Sequence, residues 1–181
     1  GETSMTSFGP KDADAWYERN KHKLGVGDDP VMQAIDDAAQ FKNPWGRVLE
    51  FGCANGWRLS NIKSKFKADC WGVEISPAAC RDICAGISLN LEPAIASCDV
   101  IIFGFCLYVT PPQDLLLYAS HADLCLKDGG HIIVHDFHPE FPYSRVYKHN
   151  PELRSNKMDH AKLWLAHPAY SMIYRRFHGL A

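Results

Sequence analysis

Two acidic side chains bracket the stretch of this chain with the clearest chemistry. Glu50 stands just before the loop Gly52-Cys53-Ala54-Asn55-Gly56, and Glu74 lies near the end of the next apolar run, Cys70–Ile75. Glycines at both ends of the loop let the backbone turn sharply and let a ligand approach with no Cβ in the way. Dinucleotide-binding loops use glycine in the middle as well, and here that position is Ala54. A carboxylate at Glu50 is a poor neighbour for a pyrophosphate and suits a ligand carrying positive groups. One at Glu74, closing a second strand, can accept hydrogen bonds from both hydroxyls of a ribose.

A second set of reactive groups follows the later apolar runs. Tyr108, His135, Asp136 and His138 come first, and Tyr143, Arg145, Tyr147, His149, Lys157, Asp159 and His160 crowd the segment beyond. Histidine and aspartate are natural acid–base partners, the carboxylate fixing the imidazole tautomer. His138 or His160 is the expected base, with Asp136 orienting it and Tyr108 alongside. Arg145 and Lys157, with Tyr147, His149 and Tyr170, are the expected substrate contacts. If Arg145 and Lys157 point into a cavity, the substrate bears a phosphate; if they face bulk solvent, the anionic substrate falls. No Asp-Asn pair neighbours Asp136 and no CxxC pair exists, so neither a metal-assisted route nor a structural zinc is expected.

The elements that must position these groups can be read from hydrophobic period. Residues 11–24 and Pro30–Phe41 read as helices, the second capped by Asp29 and opened by Pro30. From Val48 the pattern alternates. Short apolar strands at 48–51, 70–75, 87–89, 100–103 and 131–135 are separated by helices at 57–67, from Ser76-Pro77, and at 112–126. Lys127-Asp128-Gly129-Gly130 reads as a helix stop and turn, and Tyr170–Phe177 as a final strand. The alternation predicts an α/β fold, a Rossmann-like, doubly wound, mostly parallel sheet with helices on both faces. Its ligand belongs beyond the carboxyl ends of the strands.

Taken together, VLEFGCANG, CWGVEIS, CDVIIFGFCLYV and LKDGGHIIVHDF, in that order between Trp45 and Phe137, resemble the class I S-adenosylmethionine-dependent methyltransferases. The resemblance implies a single domain, 1–181, divided into an N-terminal helical lid (1–44), a cofactor-binding core (45–137) and an acceptor-side cap with an edge strand (138–181). It implies S-adenosylmethionine as cofactor and S-adenosylhomocysteine as product. Glu50, Gly52 and Gly56 would form the methionine side, Glu74 would hold the ribose, Asn90 would stand near the adenine amine, and Phe105 would line the pocket. Tyr17, Asn55 and Ile75 complete the implied cofactor contacts. The run FPYSRVYKHNPELRSNKMDH with the later HPAY is similar to a narrower subgroup tied to bacterial surface-polysaccharide and sugar modification. That likeness implies O-methylation of a small acceptor, a sugar or an anionic sugar derivative. The family normally ends on two antiparallel strands, and here only Tyr170–Phe177 reads as one. A homodimer through that edge strand, or a covering loop, is therefore expected.

Composition bounds these readings. The 181 residues are 46% hydrophobic and 22% charged, with formal net charge −2, which fits one globular domain and excludes a disordered tail. Residues 140–181 carry seven Lys/Arg against three Asp/Glu and hold four of the nine histidines, so this end suits an anion. The basic residues are too sparse for nucleic acid. No apolar run is long enough for a bilayer span. Seven cysteines, an odd number scattered through apolar stretches, point to reduced thiols and a cytoplasmic protein. Two other readings stay open at this level: an NAD(P)-dependent oxidoreductase on the same kind of sheet, and a catalytically silent cofactor-binding partner subunit.

Overall fold

The computed structural model describes residues 7–37, 46–89 and 95–178. Helix α1, Pro10–Asn20, is extended by a 3-10 turn at Lys21–Lys23, and α2 spans Pro30–Asp37. Both begin as their sequences direct. Each has proline in its first turn, and Asp29 accepts the Val31 N–H at 3.1 Å to cap α2.

Five strands then form one parallel sheet: β1 Arg47–Phe51, β2 Asp69–Val73, β3 Ser88–Leu89, β4 Cys98–Gly104 and β5 Leu126–His135. Their order across the sheet is β3-β2-β1-β4-β5, so the direction of winding reverses between β1 and β4. The connecting helices are α3 Trp57–Phe66, α4 Pro77–Arg81 and α5 Pro112–Cys125. Alternation along β1 shows how the layers form. Val48 packs with Val31, Ile35, Leu59 and Ile62 of α2 and α3, while Leu49 and Phe51 pack with Leu115, Ala119 and Ala122 of α5. The expected turn at 127–130 appears as a bulge inside β5. Ladder partners jump from Cys98–Leu126 to Val100–His131, and Gly129 takes φ +75°.

The C-terminal portion differs from the reading of the sequence. Tyr143–Tyr147 (β6) and Asn150–Lys157 (β7) pair as a separate antiparallel hairpin, which sequence periodicity did not signal. Four of the five β6 residues are exposed, so no apolar face marks the strand. After the short helix α6, Lys162–Leu165, the segment expected as the final strand, Tyr170–Phe177, pairs with nothing as a ladder. It runs beside β5 as a strap held by side chains. Tyr170 donates to Asp123 at 2.5 Å, Tyr174 and Arg176 both reach Asp37, and Arg175 reaches Asp159 at 2.9 Å. The edge strand expected to carry a homodimer is therefore absent among the described residues, and a cavity of about 630 Å³ lies between the strap and β5.

Among the described residues no helix is long and apolar enough to cross a membrane. None of the seven cysteines, all among the described residues, forms a disulfide.

Candidate functional site

A cavity of about 420 Å³ opens at the carboxyl ends of β1, β2 and β4, where the winding reverses. Gly52 and Ala54 form its floor, Glu74 and Ile75 one wall, and Phe105 and Tyr108 another, while Trp16 and Tyr17 of α1 cover it. The turn is pinned by Val73, whose carbonyl accepts the Gly52 and Cys53 N–H groups at 2.8 and 3.3 Å. Gly52 lies at φ +67°, and a Cβ there would come within 2.9 Å of Cys106 Cβ, so only glycine fits.

Glu74 is the brace of this loop. Its Oε2 accepts the Ala54 N–H at 2.8 Å, and its Oε1 accepts the N–H groups of Ile75 and Ser76 at 2.8 and 2.7 Å. A carboxylate offers about four lone-pair sites, so acceptor capacity remains on the cavity side. The cover is latched beside it. Asp14 of α1 accepts from Ser76 Oγ and the Ala78 N–H, and Tyr17 donates to Asp82 at 2.9 Å. Burial, with the Asp82 carboxylate, pushes the Tyr17 hydroxyl up to about 12.

Glu50 does not line the cavity surface. It is buried under the loop and pairs with Arg58 of α3, which also binds Asp29 at 2.7 Å. Asn55 and Gly56 also stand behind the cavity surface. Asn55 accepts the Trp57 N–H at 3.3 Å, and Gly56 opens α3 at φ +74°. Asn90 lies outside the described residues.

On the acceptor side a wall of rings divides the two cavities. Phe105, at φ +54°, is half-exposed. Its ring sits 4.3 Å from His135 and 5.4 Å from Phe137, and Tyr108 lies 5.1 Å from Phe137. Asp136 stands behind this wall, and its hydrogen-bond partners among the described residues are backbone groups. Its Oδ2 accepts the N–H groups of Leu107 and Tyr108 at 3.1 and 3.2 Å, and its Oδ1 accepts Phe137 N–H at 2.8 Å. Burial pushes Asp136 up to about 6, against the pull of those donors and of nearby Lys157. Tyr108 is held protonated by burial, and its hydroxyl is shared with Tyr147 and Trp16.

The two expected bases line the strap cavity and not the 420 Å³ cavity. His138 Nε2 meets Arg175 at 2.9 Å and Asp159 at 3.4 Å. His160 is 1% exposed with neither ring nitrogen hydrogen-bonded, and burial drives it down to about 4. Tyr170 also lines the strap cavity.

The expected acceptor contacts are scattered too. Arg145 and His149 are exposed on the hairpin and line neither cavity. Tyr147 is buried against Phe8. Lys157 is buried, its Nζ 3.5 Å from the centre of the Phe137 ring. Missed by sequence reading were Arg58, Asp14 and Trp16. Arg58 carried one signal, a charge beside Leu59 and Ile62 on the helix that leaves the glycine loop.

The chain matches a family model described as a methyltransferase domain over residues 22–170. No curated protein matches it. Among solved structures it is similar to a 1,6-didemethyltoxoflavin N1-methyltransferase from Burkholderia thailandensis with bound substrate and S-adenosylhomocysteine (TM-score 0.61, 13% identity, 82% of this chain and 70% of that one). It is also similar to a putative S-adenosyl-L-methionine-dependent methyltransferase from Methanococcus maripaludis (0.56, 14%, 76% and 68%) and to DhpI in complex with S-adenosylhomocysteine (0.54, 16%, 84% and 82%). These likenesses establish the fold. From the family match and the sheet that carries it, the chain belongs to the methyltransferases.

Proposed function

We propose that this chain binds S-adenosylmethionine in the 420 Å³ cavity and passes its methyl group to an oxygen of a small, neutral, hydroxyl-bearing acceptor of the sugar type. The observation that carries the oxygen reading is Asp136, a carboxyl pushed up to about 6 that lines the strap cavity across the ring wall and is joined to the 420 Å³ cavity through the Tyr108 N–H it accepts. An alcohol must lose its proton as it is methylated, and a carboxyl that titrates near neutrality suits that task. A free amine would need no such base.

The residues present fit the cofactor. Glu74 retains acceptor sites toward the cavity for a ribose, the floor at Gly52 and Ala54 bears nothing larger than a methyl group, and Ile75 and Phe105 offer apolar walls. When bound, the cofactor supplies an electrophilic methyl whose sulfonium charge disperses as the new bond forms. The protein's own work is to align the acceptor and exclude water, which α1 and the ring wall are built to do. Tyr108, with its hydroxyl proton retained, can hold the acceptor oxygen. The sugar class is supported by the likeness of residues 141–170 to the sugar-modifying subgroup. The anionic version is given up, because Arg145 faces solvent and Lys157 lies against Phe137.

The test is release of S-adenosylhomocysteine from S-adenosylmethionine across matched panels of methyl glycosides, sugar phosphates and amines. Turnover with glycosides, cut roughly 100-fold by Asp136→Asn, is the expected result. Turnover confined to amines overturns the oxygen reading, and turnover confined to sugar phosphates overturns the neutral acceptor.

A further inference from the structure

Beneath the floor of the cofactor cavity, three charged side chains from three elements meet out of solvent. Arg58 donates Nε to Asp29 Oδ2 at 2.7 Å, Nη2 to Asp29 Oδ1 at 3.3 Å, and Nη1 to Glu50 Oε1. The three side chains are 8%, 5% and 1% exposed for Arg58, Asp29 and Glu50. Two carboxylates on one guanidinium leave a surplus negative charge, and Glu50 Oε2 has no hydrogen-bond partner. The cluster is locked from above, since a Cβ on Gly104 at the tip of β4 would collide with Arg58 Nη1.

Among the described residues nothing else that faces Glu50 balances it. Glu74 at the end of β2 adds like charge. Cys53, Cys70 and Cys106 are thiols that burial keeps neutral, and His135 on β5 is kept neutral by burial and by Arg58. An unpaired charge held out of water is costly, so the surplus calls for a counter-ion.

We infer that Arg58 is a positioning residue of the cofactor site, gathering Glu50 and Asp29 into a buried anionic cluster whose missing positive charge is supplied by the bound cofactor. The inference rests on the cofactor reading above. Asp29 also caps α2, so the same guanidinium ties the N-terminal cover to the glycine loop. In the empty protein, burial drives the Glu50 carboxyl up and favours a proton on it. A cationic ligand expels that proton. Affinity for such a ligand therefore falls as pH drops toward the Glu50 pKa, and binding releases protons.

The experiment is calorimetric titration of the full chain with sinefungin, in which an amine-bearing carbon replaces the methylsulfonium, and with S-adenosylhomocysteine. It is run in buffers of differing ionisation heat from about pH 5.5 to 8. Sinefungin binding should give buffer-dependent heats and weaken as pH falls. Arg58→Lys, which cannot hold two carboxylates in one planar fork, should weaken both ligands by roughly tenfold or more and move the pH profile. Asp29→Asn leaves Arg58 one-to-one with Glu50 and should shift the profile to lower pH, and Glu50→Gln should abolish proton release. Wild-type affinity and pH profile in both Arg58→Lys and Asp29→Asn overturns the inference, as do buffer-independent heats in the wild type. Where circular dichroism finds Arg58→Lys unfolded, Asp29→Asn decides alone. Wild-type protein that binds neither ligand overturns the cofactor reading and this inference with it; wild-type protein that binds without proton release overturns this inference only.

Discussion

The Ala54 N–H donates to Glu74 Oε2 at 2.8 Å, across the turn that makes the cavity floor. Ala54 holds φ +52° where related loops have glycine. A left-handed backbone costs a residue with a Cβ about 1–2 kcal/mol, and the charge-assisted bond from Glu74 offsets it. The loop is thus kept in shape by a side chain from the neighbouring strand.

Glu74→Ala strips the acceptor from three backbone N–H groups at once. We expect a stability loss of about 1–3 kcal/mol and a fall of at least roughly tenfold in S-adenosylhomocysteine affinity. Thermal unfolding and calorimetry read the two effects separately. Unchanged binding would mean that the carboxylate braces the loop without contacting the ribose.

Acid should destabilise the fold through two histidines. Burial holds His160, and burial with Arg58 holds His135, down to about 4 against an ordinary 6.5. Their folded pKa values are depressed, so the stability they contribute is present above pH 6.5 and lost as pH falls toward 4. The loss is on the order of 2 kcal/mol for His160, which is the more fully enclosed. Asp136, raised to about 6, has the opposite sign: its contribution is present below the ordinary 3.8 and lost as pH rises through 6. Denaturant titrations of wild type and His160→Leu at pH 4.5 and 7 check this. The variant should gain on the wild type at the lower pH, since no hydrogen bond is lost and no buried imidazole must charge.

Arg145 and Lys157 should respond oppositely to truncation. Arg145→Ala removes an exposed side chain and should change stability by less than about 0.5 kcal/mol, with cofactor affinity unchanged. Lys157→Met removes a cation that lies on Phe137 and pulls Asp136 down, so any acid limb of activity set by Asp136 should move to higher pH. An unmoved limb would mean that Lys157 only packs.

Ending the chain at Ala169 removes the strap and its contacts to Asp123, Asp37 and Asp159. The outer edge of β5 then lies open, and open edges pair with one another. Size-exclusion chromatography with light scattering should find more dimer or aggregate than in the parent chain. An unchanged mass would show that the edge is protected by something other than the strap.

The alternating strands and helices, the glycine turn and Glu74 were legible because each follows from local chemistry. A short apolar run bounded by glycine has few alternatives to a buried parallel strand, and Asp29-Pro30 has few alternatives to a helix start. The histidines were not legible in this way. Composition could say that the last forty residues hold many reactive groups, but whether His138 faces a ligand or an Arg175–Asp159 pair depends on where the strap returns. The β6–β7 hairpin was missed because its outer strand is exposed and lacks an apolar stripe.

By itself, then, the sequence determined the alternation of strands and helices, the glycine turn and the residues at the strand tips, since period and turn chemistry are local, while the strand order that reverses between β1 and β4 joins residues some fifty positions apart. Tertiary structure alone decided what those residues meet. It brought Asp29 to the Arg58 that pairs with Glu50, turned Asp136 onto the backbone of residues 107 and 108, and laid the strap beside β5 with side-chain bonds to Asp123, Asp37 and Asp159. Such meetings hinge on how helices and loops pack in three dimensions, and a burial that raises one carboxyl or empties one imidazole of protons has no signature in the order of the residues.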